Sequence, residues 1–276
     1  MKWLHFILSH SVFIALCAVA IAFQTVLLLH LQADIFLYGF IFFATMCSYN
    51  FYWLLSKYSL AGNFSLAFFL RKEVIEIGLL VFAAAGMFFC FFSSGLQVNN
   101  VWPAIFFTIL YALPLLPFRF LRFARKAGVL KTTLLAFTWT YVTAFIPLQK
   151  SLLLLTDAEL FIITRRFLFM LMLCIIFDSR DIAVDKIRGL HSLATDLSPK
   201  VLRYLIIVIF IILFATNFLF HYFGVTIAQT IALQVSTIVL LIAYYYSTKK
   251  QGYLFYYFFI DGLMLFSALA TYIASI

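Results

Sequence analysis

The residues best placed to do chemistry are three aspartates in the stretch Asp178-Ser179-Arg180-Asp181-Ile182-Ala183-Val184-Asp185-Lys186-Ile187-Arg188-Gly189. Three of the ten acidic residues fall here within eight positions, directly after the apolar run Phe167 to Phe177. On a helix, positions i, i+3 and i+7 share one face, so the spacing predicts that Asp178, Asp181 and Asp185 line up. Carboxylates crowded at the end of a membrane helix repel one another and resist desolvation. A divalent cation removes that repulsion, and Mg²⁺ takes oxygen ligands that it often shares with substrate phosphates. The three aspartates therefore read as ligands of a metal–diphosphate site at a membrane face. The plainer alternative is a solvated acidic face paired with Arg180, Lys186 and Arg188.

The segments that must position these residues are overwhelmingly apolar. Of 276 residues, 66% are hydrophobic and 11% charged, with mean hydropathy +1.11. A soluble domain is about 45–50% apolar, and one core of this size has no place for 36 Phe and 15 Tyr. The chain reads as an integral membrane protein, a single polytopic unit over residues 1–276. The net charge of +9 then reflects anchoring of a cytoplasmic face rather than binding of nucleic acid. Cys17, Cys47, Cys90 and Cys174 sit in apolar segments with no paired spacing, so neither a zinc site nor a disulfide framework is expected.

Spanning helices need about 20 mostly apolar residues. Nine candidates follow: Leu4–Leu31, Ile35–Leu55, Val74–Phe92, Val101–Leu116, Thr132–Leu148, Ile162–Phe177, Val201–Tyr222, Val225–Tyr246 and Leu254–Ile276. The first is too long for the apolar part of a cleaved signal and reads as a span. With nine spans, sixteen of the 19 Lys and Arg fall on one side, in the N-terminus and in the loops after spans two, four, six and eight. The exceptions are Lys150, Arg165 and Arg166. The positive-inside rule then places the N-terminus in the cytoplasm, with the aspartates on that same basic side. A bacterial inner membrane is the expected setting.

The motif Asp178-x-Arg180-Asp181-x-x-x-Asp185-x-x-x-Gly189 resembles the second aspartate-rich motif of the UbiA superfamily of intramembrane prenyltransferases. Weaker matches accompany it: Arg165-Arg166-Phe167-Leu168-Phe169, Gly128-x-x-Lys131 with Ala136-Phe137-Thr138-Trp139, and Asp261-Gly262. The resemblance implies an all-α, nine-helix bundle and transfer of an isoprenoid from a prenyl diphosphate to a hydrophobic acceptor. It implies Mg²⁺ held by Asp178, Asp181 and Asp185, with Asn50, Arg180, Lys186 and Arg188 toward the diphosphate. The family's first motif, NDxxDxxxD, is incomplete here. Its place is taken by Tyr49-Asn50-Phe51-Tyr52-Trp53-Leu54-Leu55-Ser56-Lys57-Tyr58, where Asn50 remains and Phe51, Leu54 and Tyr58 replace the aspartates.

Other polar residues carry plainer expectations. Lys57 is a candidate for positive charge near the incomplete motif. Asn50 is alternatively a cap or an interhelical contact. Tyr52, Trp53 and Tyr58 read as an interfacial belt, and Arg165 and Arg166 as anchors. His10 reads as an interhelical contact, His191 as solvated, and Asp261 as an orienting group. Two rival functions remain: a divergent protein that binds a prenyl or lipid diphosphate without turning it over, and a small transporter. The mostly uninterrupted spans and the placement of the acids at a helix end argue against the transporter.

Overall fold

A chain in lipid must satisfy its own backbone hydrogen bonds, and helices do so locally. The computed structural model describes residues 2–60, 73–113, 128–150 and 154–276, and no strand occurs among them. The helices are α1 (Lys2–Ser9), α2 (Val12–Leu28), α3 (Ile35–Leu60), α4 (Val74–Ser93), α5 (Val98–Ala112), α6 (Gly128–Thr140), α7 (Asp157–Arg188), α8 (Leu193–Asp196), α9 (Pro199–Leu219), α10 (Ile227–Ser247) and α11 (Asp261–Ile273). A wide π turn, Tyr141–Phe145, extends α6, and another, Phe255–Ile260, leads into α11.

Among the described residues, seven helical segments are long and apolar enough to cross a membrane, and two shorter apolar helices, α2 and α5, stand beside them. The protein is thus an integral, multi-pass membrane protein. Each expected span has a helical counterpart among the described residues, with two departures; the end of Val101–Leu116, residues 114–116, lies outside them. The expected first span, Leu4–Leu31, is broken where Ser11 takes φ 64° between α1 and α2, a left-handed conformation uncommon outside glycine. The expected sixth span, Ile162–Phe177, does not end before the aspartates. Helix α7 continues through them to Arg188.

Both ends of α7 are set by local chemistry. At its start Thr156 and Glu159 form a reciprocal capping box, with Thr156 N–H donating to Glu159 Oε2 at 2.8 Å. At its end Gly189 takes φ 63°, Leu190 N–H donates to Asp185 O at 2.9 Å, and Gly189 N–H donates to Lys186 O at 3.2 Å. These two bonds close a Schellman motif, and the left-handed residue in it is best a glycine. The glycine that ends the aspartate motif is therefore a helix stop. The 32 residues of α7 span about 48 Å at 1.5 Å per residue, against about 30 Å of hydrocarbon. With the capped start at one face, the aspartates, 21 to 28 residues on, reach the other.

Helix α7 is also the centre of the bundle. It packs against α6, α8, α9 and α10, while α2 packs on α3 and α11, and α3 on α4. Of the most hydrophobic stretch in each long helix, 61% is buried in α7 and only 11% in α4. Met170, Met172, Ile175 and Ile176 of α7 are enclosed with Ile206 and Leu213 of α9. Phe82, Phe88, Phe89 and Phe92 on α4 face outward, as an apolar surface against lipid tails does.

Candidate functional site

Seven residues turn a helix about 700°, some 20° short of two turns, whereas three residues leave a side chain about 60° away from the starting face. Asp178 and Asp185 accordingly point the same way, toward α6, and both are buried. Thr132 Oγ1 donates to the Asp178 carboxylate and also accepts the Leu193 N–H at 3.0 Å. One hydroxyl thus ties α6, α7 and α8 together. Lys131 Nζ donates to both carboxylate oxygens of Asp185, at 3.2 and 3.4 Å. The approach of α8 to α6 is close. A Cβ at Gly128 would lie 2.6 Å from the Ser192 backbone nitrogen.

Asp181, turned away from α6, has a different partner. Arg180 clasps it through two hydrogen bonds of 2.7 Å, from Nε and Nη2. The guanidinium is held among three rings, Phe177 at 5.0 Å, Tyr256 at 5.2 Å and Tyr257 at 4.9 Å. The π turn before α11 supplies two of the three. Such stacking leaves the guanidinium plane free to meet anionic oxygens along its edge.

The expected diphosphate contacts separate. Arg180 stands against Asp181. Lys186 is exposed on the outer side of α7, and the side chain of Arg188 lies outside the described residues. Lys131, expected only as a weak match, is central. Thr132, Tyr256 and Tyr257 carry no special signal in a chain with 15 Tyr and many threonines. The order of residues in α6 offers one clue: Lys131 and Thr132 follow Gly128 within a helical turn.

At the incomplete first motif, Asn50 is buried and donates through Nδ2 to Met46 O at 2.9 Å and His10 O at 3.4 Å. Its Oδ1 takes no hydrogen bond from the described residues. Asn50 lines a cavity of about 290 Å³ together with Trp53, Lys57, Glu76, Tyr253 and Tyr257. Tyr257 is also the ring beneath Arg180. The cavity therefore has Asn50 on one wall and, on another, a ring in contact with the cation that holds Asp181.

Several plainer expectations change. Lys57 is not a spare positive charge, because Glu73 at 2.5 Å and Glu76 at 3.1 Å both pair with it. Phe51 is exposed and Leu54 buried; Tyr52 stacks on Tyr111 at 5.2 Å. The side chain of Tyr58 and the basic residues Arg71, Lys72, Arg119, Arg122, Arg125 and Lys126 lie outside the described residues. His191 pairs with Asp196 at 2.6 Å. Asp261 is buried at the junction of the π turn and α11. Arg165 and Arg166 are not interfacial anchors, since both are buried inside the bundle.

The donors match Mg²⁺ in kind, being hard carboxylate and amide oxygens. Among the described residues no three His, Cys, Asp or Glu are gathered closely enough to hold a metal ion by themselves. Mg²⁺ commonly needs only one or two carboxylates when phosphates and waters complete its shell, so the donor set fits a metal that arrives with a diphosphate.

No protein-family model matches the chain, and no curated protein matches it in sequence. In three dimensions the chain is similar to a structure solved in work on digeranylgeranylglyceryl phosphate synthase in membranes. The TM-score is 0.53 at 14% identity, covering 100% of this chain and 99% of that one. The likeness runs end to end and shows a shared fold, an all-helical bundle.

Proposed function

We propose that this protein is a membrane-embedded prenyltransferase. It would move an isoprenoid from a prenyl diphosphate to a lipophilic acceptor at the aspartate end of α7. The observation that carries this reading is the pairing at that end: three carboxylates on one helix, two of them held by Lys131 and Arg180, with the Tyr257 ring under Arg180 also lining a cavity. The three carboxylates and two cations sum to one negative charge. Such a site suits a polyanion that brings a divalent cation with it.

In this reaction the bond between the allylic carbon and the diphosphate oxygen breaks, and its electron pair leaves with the diphosphate. The acceptor forms a new bond at that carbon and releases a proton. Asp178, Asp181 and Asp185 would offer carboxylates, one or two at a time, to a Mg²⁺ that arrives with the diphosphate, which would supply neutralisation of charge on the leaving group. Lys131 and Arg180, released from their carboxylates, would bind its oxygens. Tyr256, Tyr257 and Phe177 would present ring faces toward positive charge. Asn50 would contribute its unused Oδ1 from the opposite wall.

We read the seven long and two short apolar helices as nine crossings with the N-terminus cytoplasmic, in a bacterial inner membrane. The charge distribution supports that orientation. A second reading, diphosphate binding without turnover, is favoured by one observation: Phe51 and Leu54 stand where the first motif would place carboxylates. The test is transfer of label from a radiolabelled prenyl diphosphate to a panel of lipophilic acceptors, with Mg²⁺ or with chelator. Transfer that needs Mg²⁺ and is lost in Asp178→Asn supports the enzyme. Tight binding with no transfer to any acceptor supports the second reading.

A further inference from the structure

We propose that Arg166, with Arg165 beside it, forms a binding site for a small oxyanion inside the helix bundle. This site is separate from the aspartate end and does not depend on the prenyl-transfer reading. Arg166 precedes Asp178 by twelve residues, about 18 Å along the same helix.

Arg165 and Arg166 are only 6% and 3% exposed. Each guanidinium has five N–H donors and no acceptor, and neither sheds its charge. The protein engages few of those donors. Arg165 Nε donates to Asn217 Oδ1 at 2.5 Å, and its charged carbon lies 5.2 Å from the Phe220 ring centre. Arg166 Nη2 donates to Gln24 Oε1 at 3.0 Å and Thr25 Oγ1 at 3.1 Å. Arg166 Nη1 is fully enclosed and has no hydrogen-bond partner among the described residues.

Nor is there a compensating charge. All ten acidic residues lie in the described part of the chain, and none forms an ion pair with either arginine. The neutral partners supply dipoles only, and they are fixed from behind. Gln24 Nε2 donates to Ser267 Oγ at 2.9 Å and Thr271 Oγ1 at 2.8 Å, which leaves its carbonyl turned toward Arg166. Asn217 Nδ2 donates to Gln234 Oε1 at 3.0 Å and Thr237 Oγ1 at 3.2 Å, which turns its carbonyl toward Arg165.

Two adjacent positive charges in a bundle interior are costly without a counter-charge. The planar fork of an arginine matches an oxyanion such as phosphate or a carboxylate. Successive side chains leave a helix about 100° apart, so Arg166 toward α2 makes the contact, and Arg165 toward α9 adds to the local potential. Because Nη1 is closed off, side chains must part to admit the anion, and exchange is slow.

The test uses the full chain in nanodiscs of zwitterionic lipid, with radiolabelled inorganic phosphate as the probe. Binding is measured for wild type, Arg166→Gln, Arg166→Lys and Arg180→Gln. With chelator present, so that the aspartate end has no divalent cation, the expected result is saturable binding near one phosphate per chain, weakened in Arg166→Lys and lost in Arg166→Gln. Competition by acetate would extend the site to carboxylates, and competition by anionic phospholipid in the disc would identify a headgroup as a source. No saturable binding to wild type overturns the proposal whatever the variants do. So does binding that survives Arg166→Gln, or that is lost in Arg180→Gln, since the ion would then sit at the aspartate end.

Discussion

At its far end α7 carries three carboxylates, each with a protein partner: Thr132 for Asp178, Arg180 for Asp181 and Lys131 for Asp185. Twelve residues earlier the same helix carries two guanidiniums held only by neutral oxygens and a ring. Position explains part of the contrast. If the capped start of α7 lies at one membrane face, the aspartates fall where a helix longer than the hydrocarbon emerges, and the arginines within the apolar layer. Compensation explains the rest. The aspartate end is nearly neutral at rest, with cations that can change partners. The arginine section keeps two unbalanced positive charges, whereas an enclosed guanidinium nitrogen without a partner among the described residues occurs at both ends, Arg166 Nη1 and Arg180 Nη1. A cluster of like charge in a sequence thus has two distinct meanings, which only its partners separate.

Substitutions that remove a partner at the aspartate end test the contrast most severely. Lys131→Met leaves the Asp185 carboxylate buried and unpaired, and breaking such a pair costs about 3 kcal/mol. A large fall in the unfolding midpoint in detergent is the expected outcome, and little change would show that Asp185 is not compensated by Lys131. Gly128→Ala drives a methyl into the Ser192 backbone and is expected to cost about 2 kcal/mol by the same measurement. Thr132→Val strips a donor from Asp178 and an acceptor from the Leu193 N–H, for about 1.5 kcal/mol. Lys57→Met, in a partly exposed ion pair, is expected to cost about 1 kcal/mol or less. A larger loss there would mean that the first-motif region is as tightly compensated as α7.

Much of the bundle could be read from hydropathy, because lipid permits few other arrangements of apolar runs of this length. Both departures come from features that a hydropathy window does not see. Ser11 bends the first run through its backbone conformation. The charged stretch after Phe177 remains helical because nothing in it breaks a helix before Gly189. At the site, the three aspartates and Arg180 stood out through type and spacing. Thr132 and Tyr257 did not, since their roles come from helix packing and from a π turn. Lys57 is misleading because Glu73 and Glu76 lie at the start of another helix. Arg165 and Arg166 looked like anchors because a sequence shows charge without depth.

The most direct test of the central reading is Mg²⁺-dependent binding of a labelled prenyl diphosphate to purified protein, comparing wild type with Asp181→Asn. The expected result is saturable binding that requires Mg²⁺ and vanishes in the variant. The variant's unfolding free energy should shift by no more than about 1 kcal/mol, the scale of an exposed ion pair. Binding indifferent to both the metal and the substitution, or none at any isoprenoid length, would contradict it.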